Sequence, residues 1–135
     1  YDNLMNLRID RMKKLEILDE KSRHFSEVSH YKEKFDEQDY VSKRFNMFSG
    51  DECKVTLKCN IQLQEEMLDR FGKNIPLTAV DGSHFETTVS ATMSDGFVSW
   101  LMQYGDGVEV TSPKNLAKIV RDKAKSIYNI YKGKL

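Results

Sequence analysis

Cysteine, histidine, proline and tryptophan are all scarce: two, three, two and one, respectively, in 135 residues. Cys53 and Cys59 share one alternating run, CKVTLKCNI, and have the same parity. In a strand they point to one face but stand about 20 Å apart, beyond the reach of a disulfide. They read as small apolar residues in a reducing compartment. His24, His30 and His84 show no metal-ligand spacing to a cysteine or to one another. No metal and no cofactor is therefore expected. GxSxG, CxxC and phosphate-cradling glycine loops are all lacking. The two glycines of YGDGVEV precede a strand, where a dinucleotide fingerprint would open a helix. The expectation is that the chain is not an enzyme. Net charge is lacking too, with 21 basic and 21 acidic residues. A protein that binds nucleic acid by bulk charge is usually basic. No apolar run is long enough to cross a membrane and no secretory leader is present, so a cytoplasmic location is expected.

What is there is a strong alternation of patterns. Residues 53–61 place Cys53, Val55, Leu57, Cys59 and Ile61 on one side and Lys54, Thr56, Lys58 and Asn60 on the other, a half-buried strand. Residues 63–72 put Leu63, Met67, Leu68 and Phe71 on one helical face, with Gly72 as the stop. LTAVDGS (77–83) predicts a short strand running into an Asp81-Gly82 hairpin turn. Residues 84–93 alternate again, with Phe85, Thr87, Val89, Ala91 and Met93 together. Residues 95–107 predict a helix with Phe97, Trp100, Leu101 and Tyr104 inward, and 108–110 a strand. A closing helix follows, with Ser112 as cap, Pro113 in the first turn, and a stripe of Leu116, Ile119, Val120, Ala124, Ile127 and Tyr131. The order over 51–111 is βαββαβ, the split-βαβ, ferredoxin-like arrangement of the α+β class.

The first fifty residues are less definite. Residues 4–18 fit either a strand, with Leu7, Ile9 and Arg11 on one face, or a helix, with Leu4, Leu7, Arg8 and Arg11 on one face. Residues 19–35 read as a polar connector, 35–45 as a short helix capped by Asp36 with Asp39 at its third position, and Ser49-Gly50 as a turn. The last helix carries Lys114, Lys118, Arg121, Lys123, Lys125, Lys132 and Lys134 against Asp122, either a solvated face or a footprint for a phosphate backbone. Trp100 suits core packing or, with Tyr104, a dimer or domain interface. If 4–18 is a strand, Arg11 faces its apolar side and requires a partner, and an external anion fits that need.

NLRIDRMKKLEILDEKSRHF resembles the last strand of a WYL domain, the Trp-Tyr-Leu module of bacterial transcriptional regulators. FDEQDYVSKRFNMFSG is similar to the connector that follows it. VTLKCN, the Asp81-Gly82 turn, SWLMQYGDGVEVTSP and the long last helix resemble the WCX extension that ends such proteins. The resemblance implies three parts: residues 1–20 as the tail of a small β-barrel sensing domain, 21–50 as a connector with a short helix, and 51–135 as a ferredoxin-like extension with its closing helix. It implies that Arg8 and Arg11 belong to an effector pocket for a nucleotide or single-stranded nucleic acid, and that the extension forms a homodimer. It also implies that DNA is reached only through a helix-turn-helix domain, which this chain lacks. The family's Trp-Tyr-Leu strand is not in this chain, where Trp100 lies in a different element. The start at Tyr1 fits an excised piece of something longer.

Three functions thus stand side by side. One is the effector-sensing and dimerisation region of a regulator. The second is a free-standing ferredoxin-like ligand-binding or dimerisation module unrelated to transcription. The third is direct nucleic-acid binding through the basic last helix.

Overall fold

The computed structural model describes residues 4, 5, 7–45 and 51–134. The Ser49-Gly50 turn lies outside the described residues. Before residue 51 two helices form: α1 (Phe25–Val28), a single turn, and α2 (Glu37–Ser42). The remainder is β1 (Glu52–Asn60), α3 (Gln64–Phe71), β2 (Thr78–Ala79), β3 (His84–Thr92), α4 (Asp95–Met102), β4 (Val108–Ser112) and α5 (Lys114–Tyr131). All strand pairs are antiparallel and the sheet order is β2-β3-β1-β4, the ferredoxin-like order. The α+β class and the four-stranded antiparallel sheet with its closing helix match the sequence expectation.

Alternation is what builds the layers. In register, Val55 lies opposite Val89, Leu57 opposite Thr87 and Cys59 opposite Phe85, and all six are buried. Because side chains alternate across a strand, this pairing puts one whole apolar set on one face. Met67 of α3, Phe97, Val98 and Leu101 of α4, and Leu116 of α5 close over that set. Each such fully buried side chain contributes about 1.5–3 kcal/mol over its exposed state. The opposite face is wet, and there Thr56 and Thr88 join hydroxyls at 3.0 Å. Burial pushes the Cys59 thiol up to about 11, and Cys53 is raised by burial and by the nearby Glu52 and Asp51 charges. Both cysteines are free.

Local chemistry sets the element ends. The Asp36 carboxylate accepts from the Asp39 amide to start α2, and the Ser94 hydroxyl accepts from the Phe97 amide to start α4. Gly72 closes α3 at φ +96°, a conformation that side-chain-bearing residues avoid.

Several boundaries differ from the sequence expectation. The connector, read as unstructured over 19–35, contains α1, because His24 and Glu27 form a capping box. The hairpin before β3 is wider: Val80 and Asp81 both donate to the His84 carbonyl, leaving only Thr78–Ala79 as strand. α4 stops at Met102, and a 3-10 turn at Gly105–Gly107 carries the chain into β4. Ser112 ends β4 opposite Thr56, and Pro113 takes the cap position of α5 with no side-chain capping bond. The stripe of α5 is used only at its start. Leu116 is buried and Ala117 and Val120 are partly buried, while every residue from Arg121 to Lys134 is exposed. Among the described residues of 1–20 no strand is present: Ile9–Arg11 make one 3-10 turn, with Ile9 81% exposed and no residue of the turn buried. A strand needs a ladder partner, and none is offered to this segment among the described residues. Among those residues, no helix is long and apolar enough to cross a membrane.

One defect in the core is measurable. The Thr87 hydroxyl is buried without a hydrogen-bond partner among the described residues, opposite Leu57 in the apolar layer. Thr87→Val keeps the shape and removes the orphaned group, and is expected to raise stability by about 1 kcal/mol. Urea unfolding at unchanged slope checks this; a loss of stability would show that the hydroxyl is satisfied in solution.

Candidate ligand and interface sites

The two arginines singled out in the sequence sit on the 3-10 turn. Arg8 is held by its neighbour: Nε donates to Asp10 Oδ1 at 3.0 Å and Nη2 to Asp10 Oδ2 at 2.6 Å. This fork raises the Arg8 pKa and lowers that of Asp10, with both groups in open solvent. Arg11 closes the same turn and is exposed. The structure therefore leaves Arg8 and Arg11 exposed near each other along the chain and gives Asp10 to Arg8.

Asp81, Ser83 and His84 form a cluster with the residue types of a hydrolytic triad. Its geometry is that of a turn. Ser83 Oγ lies 3.0 Å from His84 Nδ1, and Asp81 Oδ1 lies 2.9 Å from that same nitrogen. A relay needs nucleophile and carboxylate on opposite ring nitrogens. The Ser83 amide, then His84 and the Ser83 hydroxyl, hold the Asp81 carboxyl well below the usual carboxylate range. Among the described residues no group of three or more His, Cys, Asp or Glu side chains is placed to hold a metal ion.

The connector is joined to the sheet by a polar node and an aromatic anchor. Lys43 Nζ reaches Asp39 at 2.9 Å and Glu52 of β1 at 3.0 Å. The Tyr31 hydroxyl donates to Asp39 at 2.7 Å, and the Thr92 amide donates to the Lys43 carbonyl at 2.9 Å. Burial alone would raise Asp39, but its bonds from Lys43 and Tyr31 outweigh it and the carboxyl is lowered. Burial and the same carboxylate push the Tyr31 phenol far up.

Two residues on, Phe45 is 3% exposed and sits among Phe97, Trp100 and Phe71 at centroid distances of 4.5, 5.1 and 6.1 Å. Trp100 and Tyr104, the candidate interface residues, belong to this cluster: Trp100 stands edge-on to Tyr104 at 5.0 Å and to Phe71 at 5.4 Å. Both rings are half-buried by contacts within the chain. The sequence did place Trp100 inward on its helix. Nothing in the pattern signalled that Phe45, 55 residues earlier in a different segment, completes its surroundings.

The cluster borders a cleft of about 520 Å³. Its lining includes two arginines that motif reasoning passed over, Arg44 of the connector and Arg70 of α3. Arg44 lies 4.1 Å over the Tyr40 ring and Arg70 lies 4.0 Å over the Phe45 ring. Arg70 Nη2 also donates to the Arg44 carbonyl. Burial lowers the Arg70 pKa.

Residues 51–128 match the family model of the WCX domain. Among solved structures the chain is similar to the proteasome accessory factor B/C (PafBC) of Arthrobacter aurescens, at 17% identity and a TM-score of 0.44. That similarity covers 71% of this chain and 14% of the other, so the chain corresponds to a small part of that protein's length. A comparison with curated proteins finds no match.

The Asp39 node makes an acid-sensitive prediction. A carboxyl lowered in the folded state adds stability above the ordinary aspartate pKa of 3.8 and loses it as pH falls through the folded value. Asp39→Asn is therefore expected to melt below the wild type at about pH 6, with the gap narrowing as pH falls below about 4. A gap in melting temperature that does not change across this range would show that ionisation of Asp39 contributes nothing.

Proposed function

The chain belongs to the WCX-domain family, and from that we propose that it is the C-terminal region of a WYL-type transcriptional regulator. In this reading it senses an anionic effector, a nucleotide or a single-stranded nucleic acid. It relays that state, without catalysis, to a helix-turn-helix domain outside this chain. The observation that carries the reading is the conjunction of the WCX match over 51–128 with the LRIDRM segment upstream. The connector supports a relay, since Lys43, Arg44 and Phe45 tie it to the ends of the central strands β1 and β3 and to α3 and α4. A shift in the segment before residue 45 is thus transmitted to the domain core. The effector acts by favouring one of two arrangements, to the extent that it binds one better.

Arg8 and Arg11 are the effector-binding residues in this reading. An incoming phosphate competes with Asp10 for the Arg8 fork, which the bidentate geometry makes an exchange of one oxyanion for another. Arg8→Ala or Arg11→Ala in the full-length regulator is expected to abolish the effector response in a promoter-reporter assay. A normal response in both variants would remove these residues from the pocket.

Homodimerisation is the second part of the reading. α5 runs for 18 residues, and its half beyond Val120 stands clear of the domain. Ile127, Tyr128, Ile130 and Tyr131 are 43%, 62%, 53% and 60% exposed, a set of large apolar side chains clustered on two turns. A second copy of the same helix is the natural cover for this stripe, with the lysines left at the rim. Ile127→Asp combined with Tyr131→Asp is expected to convert a dimer into a monomer by light scattering, with circular dichroism unchanged. A dimer that survives the double substitution places its interface elsewhere.

A further inference from the structure

We propose that the cleft between the connector, α3 and α4 is a binding site for a phosphate group, gripped by Arg44 and Arg70. It is separate from the Arg8 and Arg11 segment and stands whether or not the chain serves a regulator.

The argument begins with unmet donors. Among the described residues, Arg44 Nη1 and Arg70 Nε are both buried and have no acceptor. A guanidinium presents five N–H donors and cannot discard its charge, so burial without an acceptor is costly. Among the described residues neither arginine forms an ion pair, although five other Lys and Arg side chains there pair with carboxylates. No acidic residue lines the cleft. Two cations facing one space without a counter-ion are the complement of a dianion.

The forks are also held in place in advance. Each guanidinium lies over an aromatic ring, at 4.1 and 4.0 Å, which fixes its plane. The Arg70 bond to the Arg44 carbonyl links the two residues directly. Fixed planar forks lose little side-chain freedom on binding, which suits bidentate contact with phosphate oxygens. Ser99 on α4 and Gln103, the residue that caps its end, add neutral hydrogen-bonding groups to the same lining, and Trp100 adds a ring. The volume, about 520 Å³, lies within the ordinary range for small-molecule sites, roughly 300–1,000 Å³, so there is room for the group that carries the phosphate.

Trp100 is the only tryptophan and lines the cleft, so its fluorescence reports on the site directly. The 135-residue chain is titrated with inorganic phosphate, AMP and acetate at constant ionic strength. Phosphate is expected to give a saturable change that Arg44→Gln and Arg70→Gln each weaken at least tenfold and that Lys125→Gln, on the exposed half of α5, leaves unaltered. AMP binding tenfold tighter than phosphate assigns a nucleoside phosphate, and equal affinities assign the bare oxyanion. A second measurement needs no substitution: phosphate should protect Arg44 and Arg70 of the wild-type chain from phenylglyoxal, mapped by mass spectrometry. The proposal is overturned by the absence of a saturable change, by acetate acting as strongly as phosphate, or by protection that falls on Arg8 and Arg11 instead.

Discussion

Segment 43–45 is the constraint on which the remainder of the arrangement depends. Three consecutive residues make three different kinds of bond to the domain. Lys43 gives its ammonium to Glu52 and its carbonyl to the Thr92 amide. Arg44 gives its carbonyl to Arg70. Phe45 enters the core against Phe97. The ammonium pair lies near the surface and is worth little alone. The ring is worth much more, since an aromatic of this size removes a large apolar area from water. Packing therefore holds the segment, while the polar contacts on either side fix its direction. Without Phe45, Trp100 would lose a neighbour, and the cleft would lose the ring over which Arg70 lies.

This explains a division of labour along the chain. From residue 51 onward the sheet and its helices share one apolar layer, and each element would be recognisable from its own pattern. Ahead of residue 45 the aromatics Phe25, Tyr31, Phe35 and Tyr40 form a small cluster of their own, with centroids 4.9–6.5 Å apart. Tyr31 is its one buried member and is bonded to Asp39. Such a satellite cluster holds a short segment together without belonging to the main core.

Legibility in the sequence followed the same line. CKVTLKCNI and HFETTVSATM alternate so cleanly that strand and face could be anticipated, because a one-residue slip would turn the whole apolar set outward. The limits of α4 and α5 were less clear, since an apolar stripe continues in sequence past the place where the structure stops using it. Ile127 and Tyr131 fit the stripe as well as Leu116 does, yet only Leu116 has a surface to meet within this chain. Residues 4–18 were ambiguous for a related reason: strand or helix there depends on a partner that sequence spacing does not contain. The Arg44–Arg70 pair was invisible because the two residues are 26 positions apart and match no motif; only the fold brings them into one cleft.

The sheet's two outer strands have a bearing on how copies of this domain can meet in a crowded solution. β2 is only two residues long, and β4, at the other side, is five and runs directly into a proline. An unpaired ladder of backbone groups is the usual template for runaway stacking, and short or proline-ended strands give it little to extend. Association by backbone zippering, which ends in fibres, is thereby discouraged at both rims. Contact through side chains on helices remains open, and contact of that kind can close into a finite, reversible assembly.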